Sequence, residues 1–146
     1  MPLLHDPQTR TSIESRLRAL TPESRRVWGT MSVDQMLWHI NQAMGLSLGT
    51  VTVGPGGPNI PAWLMRTMVI HMPWPKNGPT HPDFVAKRQY DFAVERELAL
   101  KNIAEITSRP MDDSWPVHPA FGKMTGRQVS TLVHKHLNHH LTQFGV

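Results

Sequence analysis

The sequence contains no cysteine. Disulfides, thiolate metal ligands and a cysteine nucleophile are therefore excluded, and any metal must be held by nitrogen and oxygen. Long apolar runs are also missing: the longest, around Trp63 to Met72, is interrupted by Arg66 and falls short of the about 20 residues that a spanning helix needs. No block of cations is present either. The net charge of +4 comes from Lys and Arg scattered along the chain, without the clustered basic face and aromatic or polar readers of a nucleic-acid binder. Met1-Pro2-Leu3-Leu4-His5-Asp6 lacks a basic region followed by an apolar core, so the expected location is the cytoplasm.

What is there indicates a globular protein. A length of 146 residues with 39% apolar and 18% charged side chains suits one domain over 1–146 with a proper core. There is no internal repeat, and Val51-Thr52-Val53 is too short to build a sheet. Helical periodicity dominates.

A first helix is predicted from Thr11 or Ser12, where Thr11 and Glu14 have capping-box spacing, through Ile13, Leu17 and Leu20. Thr21-Pro22-Glu23 predicts a short second helix to about Trp28, ended by Gly29. Ser32 and Gln35 form another capping box, opening a helix with Val33, Met36, Leu37, Ile40 and Met44 on its apolar face and His39 at its edge. Residues 49–59 are too rich in Gly and Pro to be regular, and they match neither a Walker loop nor a dinucleotide fingerprint. Ile60 to His71 predicts a further helix. Four prolines within Met72 to Pro82 then demand an extended crossover. The longest helix is expected from Asp83 to about Thr107, with Val85, Phe92, Ala99, Ile103 and Ile106 on one face and Arg96 near it, where an arginine either snorkels or meets an anionic substrate. After an irregular stretch from Ser108 to Gly122 that holds His118, Thr125 and Gln128 cap the last helix.

That last helix packs four of the nine histidines into the seven residues 134–140. At about 100° per residue, His136 and His140 join Val129, Leu132, Val133 and Phe144 on one face. His139 falls at the edge of that face and His134 on the polar side. Two imidazoles one turn apart can hold a divalent metal in a bundle core, and His39 is placed to be a third ligand. The other reading is that each is a core histidine bonded to a carbonyl or carboxylate.

With these residues in place, the sequence resembles the DinB-like superfamily of small helical-bundle proteins. The likeness rests on Met36-Leu37-Trp38-His39, on His136-Leu137-Asn138-His139-His140, and on Gln143 near the end. A branch catalogued only as a domain of unknown function is similar through Trp28-Gly29-Thr30-Met31-Ser32, Pro73-Trp74-Pro75-Lys76 and His118-Pro119-Ala120-Phe121-Gly122. Where many metal-binding relatives follow the last ligand with Arg-Gly, this chain has Leu141-Thr142.

The resemblance implies an all-α four-helix bundle, up-up-down-down, with long crossover loops and one or two short extra helices, and a homodimer. It also implies a single divalent ion on His39, His136 and His140, zinc or nickel first and manganese or iron next. Three neutral imidazoles leave such an ion its full charge and an open position, as in catalytic sites. The expected function is then a metal-dependent transferase or hydrolase of small molecules, with a low-molecular-weight thiol as one candidate substrate, and with His139, His118 and Arg96 as candidate substrate contacts. The competing expectation is a non-catalytic bundle that binds metal for stability or simply forms a dimer.

Overall fold

A computed structural model describes all residues 1–146. It is all-helical, with five α-helices and no strand: α1 is Pro7–Ala19, α2 Val33–Leu48, α3 Ala62–His71, α4 Phe92–Ser108 and α5 Gly126–Gln143. A single 3-10 turn at Pro82–Phe84 interrupts the crossover, and no helix is long and apolar enough to cross a membrane.

The two capping boxes read from the sequence start α2 and α5. In each, the N3 glutamine carbonyl accepts from the cap's own N–H, Gln35 from Ser32 at 3.1 Å and Gln128 from Thr125 at 2.9 Å. Gly49 closes α2 in the left-handed conformation that only glycine takes at no steric cost.

Three expected elements differ. The first helix begins four residues before Thr11, at Pro7, because Asp6 Oδ1 accepts from the N–H groups of Gln8 and Thr9, both at 3.0 Å, ahead of a proline at the first helical position. The short helix from Thr21 does not form. Ser24 Oγ accepts from Thr21 N instead, and the Val27 N–H is drawn to the Gln143 carbonyl at 2.6 Å, which pulls the strand of chain away from any helical turn. The helix expected from Asp83 begins at Phe92, capped by Asp91. Beyond the 3-10 turn, residues 85–91 stay irregular because the Tyr90 N–H is taken by Asp34 Oδ2 at 2.7 Å and the Arg88 carbonyl by Gln35, so that Val85 is exposed rather than on a buried face.

The bundle consists of α1, α2, α4 and α5, with α2 packed on α4 and α5, α1 packed on the same two, and α3 laid against α5. Cross-links give the directions. His5 and Arg16 of the first segment reach Ser130 and Asn138 of α5, so α1 and α5 run parallel. Arg10 meets Thr107 and Arg96 meets the Leu20 carbonyl, so α1 and α4 run antiparallel. Asn41 reaches Glu95 and Arg109 reaches the Leu48 carbonyl, so α2 and α4 are parallel. The helical bundle stands as expected, but the order of directions is up-down-down-up rather than up-up-down-down. The reason is the crossover 49–91, which returns the chain to the end where α2 began, while the shorter links on either side reverse it.

One cluster of buried apolar side chains serves every helix, from Ile13 and Leu17 through Met36, Leu37 and Ile40 to Ile70, Ile103, Leu137 and Leu141. A polar network crosses it between α2 and α4. Asn41 Nδ2 donates to the Glu95 carbonyl and to Glu95 Oε2, both at 2.8 Å, and Asn41 Oδ1 accepts from Asn102 at 3.2 Å. This network sets the register of α2 on α4.

Candidate metal centre

Three histidines from two helices meet between α2 and α5. His39, His136 and His140 each offer a ring nitrogen, and these atoms lie within 4.8 Å of one another. The i, i+4 spacing brings His136 and His140 to a ring separation of 4.7 Å, and His39 completes the triangle at 5.0 and 4.8 Å from them. His39 and His140 are buried, and His136 is half-buried as a residue.

Neighbouring groups orient two of the rings. His39 Nδ1 lies 2.9 Å from the Phe84 carbonyl, which can only accept, so Nδ1 carries the proton and Nε2 keeps its lone pair. His140 is held through a longer chain. Gln143 Nε2 donates to the Trp28 carbonyl at 3.0 Å, which turns Gln143 Oε1 towards His140 Nδ1 at 2.8 Å. Oε1 is again an acceptor only, so His140 Nε2 is bare. Room for this bridge comes from Gly29, where a Cβ would stand 2.5 Å from Gln143 Nε2.

His136 Nε2 points at His39 Nε2 from 3.0 Å, and no protein group bonds its Nδ1. Without a cation, one of the facing nitrogens must carry a proton for the other. With a divalent ion, all three Nε2 atoms are available as ligands. Burial keeps the imidazoles uncharged: it lowers His39, lowers His136 well below the usual value, with the charges of His140 and His39 adding to the effect, and takes His140 down to about 3. Neutral imidazoles with pinned tautomers are the form that ligates metal, so these residues fit a divalent ion. An all-nitrogen set suits zinc, nickel, iron or copper and does not choose between them.

Around this triangle stand residues that periodicity did not single out. Trp74 lies 5.6 Å from the rings of both His136 and His139, and Trp28 lies 5.7 Å from His139 on the other side. The Trp74 indole N–H donates to the Val69 carbonyl at 2.8 Å, and Lys135 Nζ binds the carbonyls of Val69, Ile70 and Met72 at the C-terminal end of α3, where the helix dipole favours a cation. The crossover is thereby held against α5. On its far side, Asp83 Oδ2 accepts from Gly54 N at 2.8 Å and His81 Nε2 meets the Gly54 carbonyl, tying the Gly/Pro loop to the segment whose Phe84 carbonyl orients His39.

The other candidates fall in different places. His139 borders the triangle, 5.1 Å from the His140 ring and half-buried between the two tryptophans. His134 is half-buried rather than fully exposed, in a groove with Arg16 and Asn138. His118 and Arg96 are not brought to the cluster. His118 Nδ1 accepts from the N–H groups of Ala120 and Phe121 and its ring stacks on Phe121, so it shapes its own turn. Arg96 donates to the Leu20 carbonyl and covers the Phe92 ring, a snorkelling role between α4 and α1. Gln143 was legible as a residue one turn beyond His140, but only Trp28 shows why its amide is fixed. No family model, no curated protein and no solved structure matches this chain, so the three-histidine geometry itself carries the functional reading.

Proposed function

We propose that the protein is a metal-dependent enzyme of the DinB-like kind, in which His39, His136 and His140 hold one divalent ion, zinc or nickel first and manganese or iron next, for transferase or hydrolase chemistry on a small molecule. The observation that carries this reading is the convergence of three ring nitrogens from helices 97 residues apart, two of them with tautomers set by acceptors that leave Nε2 free. A divalent ion held there supplies a Lewis acid with an open position, able to acidify water or to hold a thiolate. A low-molecular-weight thiol is therefore a candidate substrate.

The chain's own residues do the rest. Phe84 and Gln143 keep the two buried rings aimed inward. The apolar packing around α2 and α5 excludes bulk water, and the half-buried His136 and His139 are the members of the group least enclosed by it. No carboxylate lies in the triangle to neutralise the ion.

Metal analysis of the untagged protein tests this directly. Wild type should hold close to one divalent ion per chain, and His39→Ala and His136→Ala should each lose it. If wild type binds none and no divalent ion raises its melting temperature, the histidines are core residues and the protein is a non-catalytic bundle. A homodimer belongs to the same proposal. The outer face of α3, with Ile60, Trp63, Leu64, Met68 and Met72 exposed, is the apolar surface such a dimer would cover, and sedimentation of Met68→Glu against wild type tests it.

A further inference from the structure

The charges of this protein are segregated about the histidine triangle. Residues 35–82 and 114–146 supply the three histidines, α3, the crossover tryptophan and its lysine. They contain no aspartate or glutamate, while carrying Arg66, Lys76, Lys123, Arg127 and Lys135. All 11 acids lie elsewhere, so the net charge of +4 originates on the elements around the site.

The acids that border these elements in sequence are engaged, Asp113 by the Ser114 N–H at 2.8 Å. Asp34 is held by the Tyr90 N–H at 2.7 Å and Ser32 Oγ at 2.6 Å, and Asp83 by the Gly54 N–H. The cations are not matched by them: the one ion pair is His81 with Asp83 at 3.9 Å, and no lysine or arginine pairs with a carboxylate.

Beside His139, Lys76 Nζ lies 5.1 Å above the Trp28 ring, and Trp28 and Trp74 both lie against the His139 ring. The loop carrying Trp28 adds Arg25 and Arg26 against the single acid Glu23, with Arg26 folded onto the Gly29 carbonyl beside Gln143. The Trp28 indole N–H is itself buried without a protein acceptor, so the ring meets its surroundings through its faces. Aromatic rings about His139, the exposed Lys76 beside them and the absence of an acid on these elements favour a ligand that is negatively charged and carries some apolar surface.

We propose that Trp28, Trp74, His139 and Lys76 form the receiving site for a carboxylate-bearing substrate, whose other end is presented to the histidine triangle. The reacting end depends on the metal reading given above. The charge preference depends only on the protein.

Two measurements separate these parts. In the first, the Co²⁺-loaded protein is titrated optically with mercaptoacetate and with cysteamine, thiols that differ in the charge of the far end. Mercaptoacetate should bind about tenfold or more tightly, since one exposed cation at close range contributes about fivefold even in water, and Lys76→Glu should remove most of the difference. In the second, metal-free protein carrying Trp63→Phe, which removes the indole that is 61% exposed, is quenched with iodide and with caesium, with and without Trp74→Phe. Iodide should quench the Trp74-dependent emission more strongly than caesium, and Lys76→Glu should narrow that ratio.

Equal binding of the two thiols, or a caesium preference, overturns the proposal, as does a ratio that Lys76→Glu leaves unchanged. If Co²⁺ does not bind, the metal reading fails and the quenching measurement still decides the charge preference. Lys76 is exposed, so thermal melting of its variant should match wild type and exclude misfolding.

Discussion

His39 Nε2 and His136 Nε2 face each other at 3.0 Å across the α2–α5 interface, two ring nitrogens with no carboxylate between them. Saturation of the triangle at a hundredfold excess of ion over Kd should stabilise the fold by about 2.7 kcal/mol. His39→Ala, His136→Ala and His140→Ala should each abolish that gain, read as loss of the metal-induced shift in melting temperature. A shift that survives in any one variant removes that residue from the site.

Gln143 reaches the triangle only through His140, yet it anchors that ring to the Trp28 carbonyl. Gln143→Leu should weaken metal binding by about 10- to 100-fold, the usual effect of losing a partner that orients a ligand histidine. Competition against a chromophoric chelator measures this. Wild-type affinity in the variant would show that packing alone fixes the ring.

Acid should destabilise the protein over a defined range. Burial holds His140 down to about 3 and His118 to about 4 in the folded state, against 6.5 for an ordinary imidazole. The unfolded chain therefore binds more protons below about 6.5, and each unit of such a difference is worth about 1.4 kcal/mol per group. This contribution is complete above pH 6.5 and is lost as pH falls from 6.5 towards 3. Urea midpoints of the metal-free protein should fall steadily between pH 6.5 and pH 4, and a flat profile there would contradict the buried neutral state.

Asn41 is buried between α2 and α4 with both ends of its amide engaged. Asn41→Leu leaves Asn102 Nδ2 and the Glu95 groups without their partner and should cost about 1–3 kcal/mol. Asn41→Leu combined with Asn102→Leu should cost less than the two single changes together, because the unmatched amide is removed with its partner. Urea denaturation of the three variants gives the coupling.

Much of the site was legible in the chain because helical phase is a local property. Ser32 and Thr125 mark where α2 and α5 begin, and from those starts the period of 3.6 residues places His39, His136 and His140 on or beside inward faces. The misread segments are those where a distant partner captured a backbone group. Gln143 takes the Val27 N–H, and Asp34 takes that of Tyr90, so the helices expected from Thr21 and Asp83 could not form as drawn. Local propensity is a weak prior when a buried group offers a better bond.

By itself, then, the sequence determined the helical class, the nitrogen and oxygen limit on any metal, and the spacing of the histidine pair, because composition and periodicity need no knowledge of the fold. Only the tertiary structure decided that α2 runs beside α4 and against α5, and that the Phe84 carbonyl and the Gln143 amide set two tautomers. It also decided that Trp28, Trp74 and Lys76 gather at His139 while His118 and Arg96 stay in contacts of their own. Those relationships join residues far apart in the chain, and what selects them is the matching of buried polar groups, which no local pattern encodes.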